Sequence, residues 1–370
     1  MKELVSTLAG WRADGVDVGR AVVVRTFGSS PRPEGAVLLL ASDGRIAGSV
    51  SGGCVEGAAA DEIRRAWRTG RSRVIRFGIS DEQAWDVGLA CGGTIDVLAE
   101  PLVRQEAEEA ARAAAGLAGP DVPGAVITPL PPDSPGSRIG PHRPGEGAPP
   151  APVLVAPEDG PLAGSTGDPA VDATLRREAA DALLRGTSRT VEAGGRSYFV
   201  EAFPRRPRLV IVGAVQVAIP LVGIARTLGY ETVVVDGRPA FATRERFPEA
   251  DRIVVGWPDE VADEIGLGPA DAVAVLSHDV KFDEPAIVAA LARGCRYVGA
   301  VGSRRTQADR RERLRSAGIA DEDLARLRGP VGLDLGGRNP AETALAIMAE
   351  VVAARYGGSG RPMVERAGQA

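Results

Sequence analysis

The chain has 370 residues, of which 44% are hydrophobic and 25% charged, and this is ordinary for a globular protein of two or three domains. Its formal net charge of -5 excludes a general attraction to nucleic acid or to an anionic membrane, so any anion site must be local. Three scattered cysteines, Cys54, Cys91 and Cys295, exclude a disulfide framework and favour a reducing compartment such as the cytoplasm.

The sequence predicts no signal peptide and no membrane span. An acidic residue, Glu3, stands close to the first methionine, and no long apolar core follows it. The segment from Leu209 to Ala225 is uncharged, but it is shorter than the ~20 residues that a bilayer requires. We expect it to form a buried strand, a turn and the start of a helix.

The first predicted strand, Ala21 to Thr26, opens into the turn Gly28-Ser29-Ser30-Pro31-Arg32. Small residues, hydroxyl groups and one arginine could hold an anion in such a turn. An ordinary β-turn with an exposed Arg32 explains the same residues, and both interpretations stay open.

A second glycine-rich turn joins a short strand to a predicted helix. The stretch from Gly48 to Glu56 includes Ser51, Gly52, Gly53 and Cys54, and apolar residues at helical spacing predict a helix from Cys54 to about Thr69. Unpaired N–H groups at a helix N-terminus favour a thiolate or a bound anion. We therefore predict that Cys54 is a working thiol and that this turn contacts a ligand.

The second cysteine also stands beside paired glycines. Cys91 precedes Gly92 and Gly93, which lead into the alternating strand that starts at Thr94. A small buried hydrophobe is the alternative interpretation for a lone cysteine, and we accept it for Cys295. For Cys54 and Cys91 we favour function, because glycine lets a ligand approach the backbone closely. Neither has a cysteine or histidine partner at zinc-ligand spacing.

An internal repeat spans residues 21–100 and 125–203. Shifted by 116 positions, the segment from Val37 to Ser49 faces the segment from Val153 to Ser165, and the same alignment continues through the predicted helix to Arg73, which faces Arg189. About a third of the aligned positions match, which predicts two copies of one strand-turn-strand-helix unit. The second copy has Ala170 where the first has Cys54, which favours a chemical role for this thiol over a packing role. Divergent packing of the two copies is the alternative explanation. A Pro-rich insertion, 131–152, lies between the two aligned segments, and we expect it to be a mobile surface segment.

Residues 1–204 are thus predicted to form an N-terminal α/β domain, and 205–358 a Rossmann-like, doubly wound parallel sheet, with a disordered tail at 359–370. Strands alternate with helices from Leu209 onward. Asp236, about 20 residues after the first turn, stands where such domains hold a ribose. The turn keeps only Gly213 of the glycine fingerprint and has Val215 where a side chain would obstruct pyrophosphate, so we do not expect NAD(P) binding.

Two further strand ends carry polar groups. His278 and Asp279 follow one strand, and Ser303, Arg304 and Arg305 follow the next. Ligands gather beyond the carboxyl ends of parallel strands, and a Ser-Arg-Arg turn at a helix N-terminus suits a phosphate. His278 as a structural cap and the arginines as a solvated helix start remain the alternatives.

Three groups of motifs together resemble the XdhC/CoxI family. They are the turn ending at Arg32, the stretch from Gly48 to Glu56, and Gly88 to Gly93, followed by a second domain with the family's motifs in matching order. The resemblance implies an accessory protein that binds the molybdenum cofactor, protects it during sulfuration and delivers it to a xanthine dehydrogenase or carbon monoxide dehydrogenase type of hydroxylase. It departs from the family at Gly213-Ala214-Val215, where that family usually has a second glycine.

On this interpretation Cys54 contacts molybdenum or its sulfur end, with Cys91 nearby, and Arg32 or the turn from Ser303 to Arg305 holds the phosphate. The expected partners are the hydroxylase apoenzyme, a cysteine desulfurase and a second copy of the chain. Two other functions stay open: an NAD(P)-dependent oxidoreductase that uses the second domain, and a scaffold for hydroxylase assembly that binds no cofactor.

Overall fold

The computed structural model describes residues 4–78, 93–102, 123–131, 154–158 and 162–365. Cys91, Gly92, nearly all of the Pro-rich insertion and the last five residues lie outside these ranges. The chain divides into two compact units, one that ends at Arg205 and one that begins at Arg206. In the described residues no helix combines the length and the apolar character that a membrane crossing requires.

The first unit contains two antiparallel sheets. The first sheet has the strand order β3-β2-β1-β5-β4 and the second β7-β6-β9-β8. The described elements, in chain order, are α1 Val5–Ala13, β1 Val18–Phe27, β2 Val37–Ala41, β3 Ile46–Gly48, α2 Glu56–Thr69, β4 Arg73–Phe77, β5 Thr94–Leu102, β6 Gly124–Pro129, β7 Leu154–Pro157, α3 Pro169–Arg185, β8 Arg189–Ala193 and β9 Arg196–Phe203.

The side chains of β1 alternate between two buried layers, as a β-strand dictates. Ala21 and Val23 face a core that includes Ile63 of α2. Val22 and Val24 face a second core, to which the other sheet contributes Phe199. This is why the strand is apolar on both faces and reads as a continuous hydrophobic run.

The two sheets have corresponding elements in corresponding places. Their shared strand order is β2-β1-β5-β4 in one and β7-β6-β9-β8 in the other. A shift of 116 residues carries the range of α2 into that of α3, and both helices end at a left-handed glycine, Gly70 with φ 64° and Gly186 with φ 68°. This correspondence is what the sequence repeat predicts.

The second unit is built on one parallel sheet of six strands in the order β12-β11-β10-β13-β14-β15. Its elements are β10 Arg208–Val212, α4 Ala218–Thr227, β11 Glu231–Asp236, β12 Arg252–Val255, α5 Pro258–Ile265, β13 Ala272–Val275, α6 Val280–Ala292, β14 Tyr297–Ala300, α7 Arg304–Ser316, α8 Asp321–Arg326, β15 Leu327–Arg328, α9 Pro340–Tyr356 and a 3-10 turn at Met363–Glu365. The predicted α/β class and the doubly wound sheet are confirmed.

Both faces of this sheet are covered. Leu209 and Ile211 of β10 point into one core, while Val210 and Val212 point into the other. The segment that could pass for a membrane span is therefore a buried strand, a turn and a helix, as expected. Polar groups that follow the strands collect at their carboxyl ends, because all six strands run the same way.

Candidate functional site

One end of the first sheet gathers three of the predicted site segments. Phe27, the last residue of β1, pairs with Thr94, the first residue of β5, so the turn from Gly28 to Arg32 adjoins Gly93. A Cβ added to Gly93 would lie 2.0 Å from the carbonyl oxygen of Ser29, which explains the glycine at this position. Arg32 is exposed on this turn.

The Cys54 loop starts from the same end. Gly48, the last residue of β3, pairs with Leu38, and the Ser49 N–H donates to the carbonyl of Val37 near the start of β2. Cys54 is exposed. The structure thus places the segments carrying Cys54, Arg32 and Gly93 at one end of one sheet, while Cys91 and Gly92 lie outside the described residues.

The helix begins two residues later than the sequence predicted. α2 starts at Glu56 with Val55 as its N-cap, so Cys54 belongs to the preceding loop. The cause is Ser51, whose hydroxyl oxygen accepts hydrogen bonds of 2.9 Å from both the Cys54 and the Val55 N–H. These two donors therefore serve the loop rather than the first turn of the helix.

A carboxylate that the sequence analysis did not single out organises this loop. Oε1 of Glu56 accepts from the Ser49 hydroxyl at 2.5 Å and from the Val50 and Ser51 N–H groups. Oε2 accepts from the Ser51 hydroxyl at 2.7 Å and from the Gly53 N–H at 2.9 Å. Five hydrogen bonds thus converge on one side chain, and burial alone would raise its pKa. The hydrogen bonds from Ser49 and Ser51 outweigh that effect and lower the pKa of Glu56 to about 2.

The backbone donors of Ser51, Gly52 and Gly53 are therefore already used. Glu56 takes the N–H groups of Ser51 and Gly53, and the hydroxyl of Ser49 accepts from Gly52 at 2.7 Å. The anion expected at this helix N-terminus is supplied by the chain itself. One signal in the sequence could have revealed it, because the 116-residue shift places Asp172 opposite Glu56 and Ser165 opposite Ser49.

Three predicted site segments of the second unit lie at neighbouring strand ends, since β10, β13 and β14 are adjacent. Gly213 has φ +105°, and a Cβ there would lie 2.9 Å from the Ser277 nitrogen. His278 has a left-handed φ of 69° and an exposed side chain. Such a conformation is uncommon for histidine and marks candidate functional positions. Asp279 is the N-cap of α6 and accepts from the Lys281 N–H at 3.0 Å.

Ser303, Arg304 and Arg305 form the exposed start of α7. The Ser303 hydroxyl caps the helix by accepting from the Thr306 N–H at 3.1 Å. Neither Arg304 nor Arg305 has an ion-pair partner in the described part of the chain, so both guanidinium groups face solvent at the positive end of a helix. These two exposed arginines could hold an anion at this helix start.

Asp236 is buried and fully engaged. Oδ2 accepts from the Ala214 N–H at 2.7 Å, and both oxygens accept from Arg238. Burial raises the pKa of Asp236, but Arg238 and the Ala214 N–H outweigh this and keep the pKa below its usual value. The carboxylate that would bind a ribose instead holds the turn after β10 through the Ala214 N–H. Val215, in the same turn, packs against the core.

The sequence analysis also did not identify a buried hydrogen-bond network beneath these strand ends. Asp283 accepts from the Ser277 hydroxyl at 2.5 Å and from the Arg310 guanidinium at 3.0 Å. Arg310 also donates to the Val301 carbonyl at 3.0 Å and to the Gln307 side chain. This hydrogen-bond network therefore connects the loop after β13 to the turn after β14, and so links the segments that carry His278 and Ser303. The residues of this network lie far apart in sequence, and no local motif indicates them.

Among the residues that the structure describes, no three His, Cys, Asp or Glu side chains are grouped as ligands of a metal ion would be. Cys295, accepted as a packing residue, is 1% exposed. Burial raises the pKa of its thiol to about 11, so the thiol is protonated and unreactive at neutral pH.

Comparison with known proteins gives a consistent result. Residues 11–78 match the model of the XdhC and CoxI family, and residues 209–351 match that of the XdhC Rossmann domain. The chain is 27% identical over 337 residues to a probable xanthine dehydrogenase subunit of Bacillus subtilis, covering 90% of this chain and 92% of that protein. It is 27% identical over 354 residues to the molybdenum cofactor insertion chaperone PaoD of Escherichia coli, covering 94% and 88%.

A crystal structure described as a xanthine dehydrogenase from Bacillus halodurans aligns with a TM-score of 0.65 and 25% identity, covering 98% of this chain and 97% of that chain. Both family models match in the expected order and together span more than half of the residues. The chain belongs to the XdhC/CoxI family.

Proposed function

We propose that this protein binds the molybdenum cofactor, protects it while its terminal sulfur is installed, and delivers it to a molybdenum hydroxylase apoenzyme. Membership of the family and the likeness to an insertion chaperone support the proposal. The observation that carries it is the exposed thiol of Cys54 on a loop of fixed conformation. The equivalent loop of the second copy has no thiol.

The chemistry of the cargo matches the groups that remain available. The cofactor presents an anionic phosphate, a polar pterin and a molybdenum bound through soft sulfur, so its binder needs cationic donors at one end and suits a thiol at the other. Arg32 offers a cationic donor in the first unit, which also carries Cys54, and Arg304 and Arg305 of the second unit are the alternative donors. Cys54 offers the thiol, and Cys91 is proposed to act near it.

The partners follow from the same proposal. A chaperone of this cargo must meet the apoenzyme that receives it and the enzyme that supplies sulfur, and we include a cysteine desulfurase and a second copy of this chain among the expected partners. The chain acts without turnover of its own, because binding, protection and release require no covalent step by its residues.

The test is cofactor content after purification from a host that makes the cofactor. We expect Cys54→Ala and Arg304→Ala to retain clearly less molybdenum and pterin than the wild type. Alanine is the residue that the second copy has at the position of Cys54, so the fold should tolerate it. Arg226→Ala is the matched control, because Arg226 is an exposed arginine in the last turn of α4, at the end of that helix opposite to the turn that follows β10. Undiminished retention in both site variants contradicts the residue assignments.

The same preparation separates the other candidate functions. Quenching of intrinsic fluorescence by NADPH, with no pterin in the wild-type protein, would favour the oxidoreductase. Capture of a hydroxylase by wild-type protein that contains no molybdenum or pterin would favour the scaffold.

A further inference from the structure

The Cys54 loop curves around a single point. Gly52 and Gly53 have left-handed φ angles of 80° and 118°, which turn successive N–H groups toward the same side. A backbone of this shape forms a concave site for an anion. Its occupant is the carboxylate of Glu56, with N–H donors at 3.2 Å from Val50, at 2.9 Å from Ser51 and at 2.9 Å from Gly53.

Glu56 also reaches the backbone of Cys54 through one intermediate. The Ser51 hydroxyl donates to Oε2 of Glu56 at 2.7 Å and accepts from the Cys54 N–H at 2.9 Å. Ser51 is 1% exposed, so water does not compete for these bonds. A displacement of the carboxylate would therefore be transmitted to the residue that carries the thiol.

The second copy of the repeat supplies an internal comparison. Asp172 accepts from the Ser165 hydroxyl at 2.6 Å, from the Thr166 hydroxyl at 2.6 Å and from the Thr166 N–H at 2.9 Å. Its shorter side chain receives one backbone N–H, whereas Glu56 receives three. The carboxylate of the turn that holds a cysteine thus fixes more of the backbone than the carboxylate of the turn that holds Ala170.

We infer that Glu56 is a positioning residue that fills the anion site of its own loop, holds the backbone of Cys54, and leaves the thiol as the group this loop presents to the cargo. The inference rests on the proposed function for the identity of the cargo. It assigns the phosphate to groups outside this loop, because the loop's N–H donors at Val50, Ser51 and Gly53 are taken. The glycines and Ser51 then shape the site without contacting the cargo through their amides.

The experiment compares the same chemical change at equivalent positions of the two copies. Glu56→Gln and Asp172→Asn each replace a carboxylate by the amide of equal size, and Glu56→Asp keeps the charge but shortens the reach. Each full-length variant is assayed for peptide-resolved amide hydrogen exchange and for copurified molybdenum and pterin. Global unfolding is recorded in parallel.

We expect Glu56→Gln to speed exchange of the Val50, Ser51 and Gly53 amides by about tenfold or more, since each loses a charge-assisted acceptor. Cofactor content should fall severalfold, with the global unfolding midpoint close to that of Asp172→Asn. Asp172→Asn should affect its own turn and leave cofactor content unchanged. Glu56→Asp should give intermediate exchange and cofactor content, because its carboxylate resembles that of Asp172.

Wild-type exchange rates at these amides in Glu56→Gln would overturn the inference, as would unchanged cofactor content despite a loosened loop. A different result is expected if the proposed function itself is wrong. In that case the wild type itself carries no molybdenum or pterin, while the exchange rates of the two matched variants still decide whether Glu56 holds the loop.

Discussion

Asp236 accepts a hydrogen bond of 2.7 Å from the Ala214 N–H, and this bond joins the end of β11 to the turn that follows β10. In a dinucleotide-binding domain of this topology the equivalent carboxylate is directed at a ribose. Here it is 1% exposed and is shared between Ala214 and Arg238. The Rossmann domain of this chain thus has an acidic residue at this position, but uses it to hold the turn.

Asp236→Ala is expected to destabilise the second unit by roughly 1–3 kcal/mol, because the Ala214 N–H would be left without an acceptor in a buried position. Denaturant unfolding measures the loss. Arg238→Ala is the control, since it removes an exposed partner of the same carboxylate and leaves the Ala214 bond in place. Equal losses in the two variants would show that the Ala214 bond contributes nothing.

Gly213→Ala should lower the free energy of unfolding by about 1–3 kcal/mol, because alanine is strained at φ +105° and its Cβ would lie 2.9 Å from the Ser277 nitrogen. Gly223→Ala, in the middle of α4, is the matched change. There the nearest atom is a side-chain oxygen of Glu249 at 3.5 Å, and alanine should stabilise the helix by about 0.5–1 kcal/mol. Thermal unfolding of both variants should show a lower unfolding midpoint for Gly213→Ala and a higher one for Gly223→Ala. An unchanged midpoint for Gly213→Ala would contradict the close approach of the turns after β10 and β13.

Arg310→Met is expected to be among the most damaging single changes in the second unit. Asp283 is 1% exposed, and burial raises its pKa above the usual value although Ser277 and Arg310 act to lower it. Removal of one partner from such a buried pair leaves an uncompensated carboxylate and costs about 3–5 kcal/mol.

The double variant Asp283→Asn, Arg310→Met separates the charge from the packing. It should recover part of the loss, because no buried charge remains. Urea unfolding of the wild type, of the single variants Asp283→Asn and Arg310→Met, and of the double variant gives the coupling energy. Additive losses would mean that the ion pair does not couple the two strand ends.

The Cys54 loop should loosen in acid, over a pH range that extends well below the usual pKa of a glutamate. The pKa of Glu56 is about 2 in the folded protein and about 4.5 for an unperturbed side chain, so the stabilising effect of its charge is complete above pH ~4.5. It is lost as the pH falls from there through ~2. Amide exchange at Ser51 and Gly53, corrected for intrinsic rates, should show this window. Glu56→Gln should show no such step, and a loss of protection centred near pH 4.5 in the wild type would contradict the low pKa.

Alkylation should discriminate between Cys54 and Cys295. Cys54 is exposed, whereas Cys295 is buried with a pKa of about 11, so about one molecule in a thousand carries its thiolate at pH 8. Iodoacetamide at that pH, followed by peptide mapping, should label Cys54 in the native protein and Cys295 only after denaturation. Equal labelling rates in the native state would contradict the burial of Cys295.

Local patterns in the sequence predicted much of the fold. The apolar stripe of Ala59, Ile63 and Ala66 specifies the buried face of α2, and the alternation of strands and helices from Leu209 onward specifies a doubly wound sheet. Asn339 and Glu342, three residues apart in the sequence, form a capping box at the start of α9, and a left-handed Gly357 stands at the end of this helix. These signals are readable because each depends on residues within a few positions of one another.

The site was predictable in part. Paired glycines and a cysteine in the stretch from Gly48 to Glu56 indicated a special loop, and the repeat indicated that its scaffold tolerates Ala170 in place of Cys54. The role of Glu56 was not predicted, although the repeat pairs it with Asp172, because it depends on left-handed glycines that fold the loop back onto a carboxylate. The predicted helix start was wrong by two residues, because the Ser51 hydroxyl accepts from the Cys54 and Val55 N–H groups.

The sequence by itself determined the two-part α/β organisation, the repeat and the positions of the turns, since hydrophobic period and turn chemistry are local properties. Only the tertiary structure decided which polar groups are free. Asp236 and Ser51 looked like ligand-binding residues, yet both are buried and engaged within the chain, while Cys54, Arg304 and Arg305 remain exposed. Hydrogen-bond partners such as Arg310 and Asp283 are 27 residues apart, and only the packing of helices on the sheet brings them together.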